Sequence, residues 1–84
     1  MDIPTIIGLL AAAGTTFSFL PQAIKTIRSK QTKDLSLGMY AILAIGILLW
    51  LIYGLLLQNL PIILANGVTI VFVLVILVLK IKGG

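Results

Sequence analysis

Two long runs without a charged side chain divide this sequence. None lies between Ile3 and Ile24, and none between Leu35 and Leu79. A membrane crossing takes about 20 apolar residues in helical form. The first run fits one crossing. The second is about twice the length that one crossing needs, and Gln58, Asn59, Leu60 and Pro61 interrupt it. The pattern predicts three membrane helices, near residues 3–24, 35–57 and 61–81, in one unit over residues 1–84. The expected fold is an all-α membrane bundle, with Gly83 and Gly84 as a tail.

Composition supports this division. The chain is 61% hydrophobic and 10% charged, which leaves too few surface-forming residues for a soluble domain. The start, Met-Asp-Ile-Pro, has no basic segment before the first apolar run, and no A-x-A site follows it. The run therefore reads as a retained helix. The net charge of +4 would suit nucleic acid if it formed one patch. Instead Lys25, Arg28, Lys30 and Lys33 fill the first connection, and Lys80 and Lys82 end the chain. The positive-inside rule then sets the first connection and the C-terminus in the cytoplasm, with the N-terminus and the Gln58 turn outside. No nucleic-acid partner is expected. Membrane lipid is, with contact to anionic headgroups as a secondary role of the basic residues.

The same inventory excludes several chemistries. There is no cysteine and no histidine, and the only acids, Asp2 and Asp34, lie outside the spans. No nucleophile–base pair, metal cluster or phosphate loop can be assembled, so neither an enzyme nor a cofactor is expected. A proton-coupled exporter or rotary ring subunit normally needs an intramembrane carboxylate, histidine or similar relay. Without one, movement down a solute gradient is expected.

Polar and small residues inside the spans are the candidates for function. In Thr15–Gln22, Pro21 has no amide hydrogen and crowds the carbonyl of Phe17. That should bend the helix and free a carbonyl, with Ser18 and Gln22 in local reach. The segment reads either as a static kink or as a hinge. Gly14, Ser18, Gln22 and Lys25 recur at helical spacing and share a face. That face is either a close-packing seam or a wall with room for a ligand. Asp34 or Ser36 can cap the second helix, whose inner end holds Met39 and Tyr40. Ala41, Ala44 and Gly46 make it slim. Its outer half carries Gly46, Trp50, Tyr53 and Gly54 on one face. Tyr53 fits an interfacial belt; Trp50 lies deeper, roughly 10 Å inside the helix end.

The third helix opens with Pro61 and carries Asn66, with Thr69 one turn further along the same face. An amide in hydrocarbon needs a partner, either a neighbouring helix or a ligand. Beyond Ile70 the helix is almost wholly Val, Leu, Ile and Phe, which reads as filler and lipid contact. A short turn at Gln58 makes the second and third helices antiparallel neighbours. Trp50 lies eight residues before Gln58 and Asn66 eight after it, so the two should share one depth. An aromatic plate level with an amide suits a polyhydroxylated ring, with stacking for C–H faces and hydrogen bonds for hydroxyls. Three packed helices at spacings of about 8–10 Å leave no central passage, so a solute path needs a second copy. The smallest closed solution is a two-fold homodimer.

These features resemble the PQ-loop superfamily and, within it, the bacterial SemiSWEET sugar transporters. The resemblance covers essentially the whole chain. It rests on three spans, F-L-P-Q at Phe19–Gln22, the basic K-T-I-R-S-K-Q-T-K-D-L-S loop, Met39–Tyr40, W-L-I-Y-G at Trp50–Gly54, and L-A-N at Leu64–Asn66. It implies a facilitative uniporter of the bacterial plasma membrane that moves a small sugar by alternating access. Trp50 and Asn66 match the family's sugar-contacting pair. Pro21 and Gln22 match the hinge, Met39 the inner gate and Tyr53 the outer gate. Helix 3 would lie between helices 1 and 2, and two copies would pair about an axis along the membrane normal, the parallel-repeat plan of the SWEET class. Some relatives carry charges at the outer end of helix 2. Here Leu57, Gln58 and Asn59 stand there, which leaves more of the closure to Tyr53. Other PQ-loop proteins move amino acids or other metabolites, and small pore-forming or structural subunits share this size and composition. Saturable, solute-selective uptake separates a carrier from a pore.

The charge pattern makes a topological prediction. Single cysteines introduced at Ser29 and at Asn59 should react with impermeant reagents from opposite sides of the membrane. Labelling of both from one side would overturn the three-span arrangement.

Overall fold

The computed structural model describes residues 1–83 and contains three helices: α1 (Ile3–Ser29), α2 (Leu37–Leu57) and α3 (Leu60–Gly83). All three are long and apolar enough to cross a membrane. The number of helices agrees with the charge gaps, but two boundaries move. The first helix continues past Lys25 and Arg28, which were expected in a loop, and ends at Lys30. A charged side chain marks where hydrocarbon stops, whereas a helix can run on into the headgroup layer. At 27 residues, α1 is long enough to do so. The third helix likewise includes Lys80 and Lys82 in its last turn and reaches Gly83. Gly84, the end of the expected tail, lies outside the described residues.

Helix ends are closed by local hydrogen bonds. Asp2 precedes α1, with its carbonyl accepting from the Ile6 amide at 3.1 Å. Lys30 turns α1 off in the left-handed region (φ 57°) and donates its amide to Thr26 at 2.9 Å. Of the two candidate caps for α2, Ser36 is the one used: its hydroxyl accepts from the Met39 amide at 3.1 Å. Between α2 and α3 only two residues intervene. Gln58 adopts the left-handed conformation (φ 53°) and donates to Leu55 at 3.2 Å, while Asn59 donates to Gly54 at 2.9 Å. This pair of bonds is a Schellman closure. The Asn59 side chain then accepts from the Ile62 amide at 3.2 Å, so one residue both ends α2 and caps α3.

The turn lays α3 antiparallel to α2, and α1 packs on the other side of α3. Among the described residues α1 and α2 have no Cα atoms within 8 Å of each other. The order across the bundle is therefore α1–α3–α2. The Cα extents of 45 × 23 × 14 Å describe a wall rather than a rod. Three helices side by side at about 9 Å spacing have that width.

The buried core follows the middle helix. Ile70, Val73 and Ile76 of α3 are buried, the last two almost completely; Ile70 and Val73 pack with Ala44 and Ile47 of α2, with Phe19 and Tyr40 against that cluster. The expectation that α3 beyond Ile70 is filler facing lipid agrees with the exposed Val71, Leu74, Val75, Val78 and Ile81, and is corrected at Val73 and Ile76. A helix flanked on both sides buries one stripe even when every position is apolar, and its sequence carries no polar face to reveal that stripe. In lipid, association rests on close packing more than on exclusion of water. Two glycines supply the close approaches. A Cβ at Gly54 would lie 2.6 Å from Ile62 Cγ2, and one at Gly8 would lie 2.9 Å from Pro61 Cγ. Gly14, Gly46 and Gly67 have open space at the same position.

This contrast yields a stability test. Gly54→Val should lower the thermal midpoint of the purified protein by about 5 °C or more, because α2 and α3 must separate to admit the side chain. Gly67→Ala should not lower it. A Gly54→Val protein as stable as wild type would contradict the packing described.

Candidate functional site

A recess lies between α1 and α2, over the face of α3. It has a volume of about 620 Å³. On the α1 side its wall is Gly8, Ala11, Ala12 and Thr15, small residues at helical spacing that keep the space open. Trp50 faces it from α2, and Asn66, Ala65 and Ile62 from α3. Trp50 and Asn66, sixteen residues apart in the chain, thus line one cavity.

Trp50 is 55% exposed in the single protomer, and its ring lies edge-on to Tyr53, with centroids 5.6 Å apart and planes at 88°. Such a T-shaped contact is a favoured aromatic geometry. It leaves much of the indole surface open to the recess. A second, shallower hollow of about 350 Å³ runs along Gly46, Leu49, Trp50 and Tyr53 on α2 alone. Asn66 is half buried. Its Nδ2 donates to the Ile62 carbonyl of its own helix at 2.9 Å. It is therefore not a hydrogen-bonded tie to α1 or α2, the role a membrane asparagine often has. Thr69 behaves alike, donating to the Ala65 carbonyl at 2.7 Å. Thr15 donates to Ala11 at 3.1 Å. These back-bonds satisfy hydroxyl and amide hydrogens inside each helix and still leave oxygen lone pairs, Asn66 Oδ1 among them, for an incoming donor.

The mouth of the recess at the α2–α3 turn holds residues that sequence reasoning did not single out: Asp2, Thr5 and Asn59. Asp2 and Asn59 were read only as terminus and turn. Their placement at the mouth depends on how α1 registers against α3, which no local pattern encodes. The neighbouring Thr5 side chain holds the Asp2 carboxyl below its usual range, so the mouth carries negative charge at neutral pH.

The other candidates occupy distinct places. Gly14 and Ser18 are exposed on α1 and are not part of the recess in a single protomer. Ser18 lies one turn inward of Thr15 and donates to its carbonyl at 2.9 Å, not to the Phe17 carbonyl that Pro21 frees. Pro21 and Gln22 are exposed within an uninterrupted α1, and the Gln22 carbonyl accepts from Thr26 at 3.0 Å. Met39 and Tyr53, both about half exposed, stand at opposite ends of α2, roughly 20 Å apart at helical rise. No group of three or more metal-ligating side chains occurs among the described residues.

Comparisons with known proteins agree on a family. Residues 3–63 match the model of the PQ loop repeat. The chain is 49% identical to the sugar transporter SemiSWEET of Leptospira biflexa, over 94% of this chain and 93% of the relative. It is 43% identical to the sugar transporter SemiSWEET of Bradyrhizobium diazoefficiens, over 94% and 92%. Among solved structures, SemiSWEET in the inward-open conformation superposes with a TM-score of 0.92 at 37% identity, covering 96% of this chain and 94% of that one.

Proposed function

The chain belongs to the PQ-loop family, and from that premise we propose that it is a facilitative uniporter for a small sugar, working by alternating access as a parallel homodimer. The observation that carries the reading is the recess where Trp50 and Asn66 meet. The indole stacks on the C–H face of a ring. The Asn66 amide, held by its own helix, bonds the hydroxyls. The relatives named as sugar transporters cover nearly the same length as this chain, which supports carrying their substrate class over to it.

One protomer supplies half of the path. The wall is 14 Å thick in its Cα trace and has its recess open on one side. A second copy related by a two-fold axis along the membrane normal closes that side. Gly14 and Ser18, exposed on α1, then line the path toward the partner and leave room for the solute. Met39 serves the cytoplasmic gate and Tyr53 the outer one. The orientation follows the basic residues of the first connection, with the Gln58–Asn59 turn outside. Lys80 Nζ donates to the Lys33 carbonyl at 3.1 Å, which ties the inner end of α3 to that connection. Pro21 and Gln22 give α1 the bend that changes as one gate opens and the other closes.

Uptake by reconstituted protein tests this directly. A radiolabelled sugar should equilibrate across the liposome membrane without accumulating, and an imposed pH gradient should not alter the end point. Trp50→Ala and Asn66→Ala should each cut uptake at least about tenfold while the dimer still elutes intact. Preferential uptake of an amino acid, or leakage of a trapped dye, would replace the sugar-carrier reading.

The hinge has its own test. Pro21→Ala restores the missing backbone bond and should slow uptake strongly while sugar binding and dimerisation persist. Pro21→Gly, which keeps flexibility, should recover part of the rate. Equal rates in the two variants, at equal amounts of folded dimer, would mean that the proline is only a static bend.

A further inference from the structure

We infer that Tyr53 is a positioning residue for the Trp50 indole, so that the state of the outer gate sets the affinity of the binding site; the affinity part rests on the function proposed above. Trp50 has one ring partner among the described residues, Tyr53, one turn nearer the outside. Side chains on a helix lean toward its N-terminus, which for Trp50 means toward Gly46. Nothing stands there to hold it: a Cβ built on Gly46 meets no atom within 4 Å, and the hollow beside Gly46 and Leu49 is open. The Tyr53 ring therefore bounds the indole on one side, while the space over Gly46 is open to it in the single protomer. With the Tyr53 ring in place, the indole presents one orientation to the recess. When Tyr53 moves, the indole can swing into the space over Gly46, and the plate is lost.

This arrangement differs from a gate that only blocks passage. A blocking side chain changes the rate of exchange and leaves the equilibrium affinity alone. A positioning side chain changes affinity, because the unheld indole populates orientations that do not stack. An edge-on aromatic contact has a strength that corresponds to about a three- to tenfold change in such a population.

The chain contains a single tryptophan, so indole emission reports on Trp50 alone. Wild type, Tyr53→Phe, Tyr53→Leu and Tyr53→Met are to be compared as purified dimers. The first readout is the time-resolved anisotropy of the unliganded protein. The second is sugar affinity by calorimetry. The leucine and methionine variants keep apolar bulk but lack the ring. They should show a faster, wider indole motion and affinity weakened about three- to tenfold. The phenylalanine variant keeps the ring and should match wild type in both. Either nonaromatic variant suffices for the comparison, and Tyr53, half exposed, is outside the buried core. Unchanged anisotropy in the nonaromatic variants overturns the inference, as does an equal loss in the phenylalanine variant. If wild type binds no sugar, the functional proposal fails, while the anisotropy comparison still decides whether Tyr53 holds the indole.

Discussion

Everything at the candidate site depends on the two-residue connection between α2 and α3. Gln58 in the left-handed conformation and Asn59 with its double role leave no slack between the helices. A turn this short fixes direction and depth together. It puts Gly54 against Ile62, and eight residues away on each strand of the hairpin it sets Trp50 and Asn66 at one level. A connection longer by one residue would rotate α3 by about 100° about its axis and carry Asn66 out of the recess. The cost of a non-glycine residue at positive φ is accepted at Gln58, where two backbone bonds offset it.

Much of this was legible in the sequence because it is local. The charge gaps announce three crossings, the Gln58–Pro61 break announces the hairpin, and equal spacing about Gln58 announces the level of Trp50 and Asn66. Ser36 was one of two visible caps for α2. What stayed hidden is either non-local or unpatterned. The C-terminal end of α1 was hidden because charge marks where an apolar run stops, whereas the backbone continues past Lys25 and Arg28 as helix to Ser29. The buried stripe Ile70–Val73–Ile76 was hidden because a helix of Val, Leu and Ile shows no contrast between its faces. The mouth residues Asp2, Thr5 and Asn59 come together only once Gly8 of α1 has settled on Pro61 of α3. That contact is set by the register of two helices far apart in sequence.

The central position of α3 explains how so small a chain holds a defined shape. It is the one helix that touches both others, and it carries the two most deeply buried side chains. Among the described residues no Cα of α1 lies within 8 Å of one of α2, so each of the two packs chiefly on α3. The recess is the gap left between them, so its width follows their relative tilt. Thr15 and Asn66 in that gap are bonded within their own helices. Such bonds travel with the helix and do not resist tilting, whereas a hydrogen bond from α1 to α2 would.

The 14 Å wall has a further consequence for the solute. On the function proposed above, two-fold pairing of identical walls would present the same plate and the same amide from both sides, while a sugar ring has no two-fold symmetry of its own. The ring therefore has two equivalent poses, each favouring one wall over the other. That degeneracy adds about 0.4 kcal/mol of entropy to the bound state. A proper rotation keeps the handedness of the vestibule, so both poses discriminate stereoisomers alike, and the doubling changes affinity without changing selectivity.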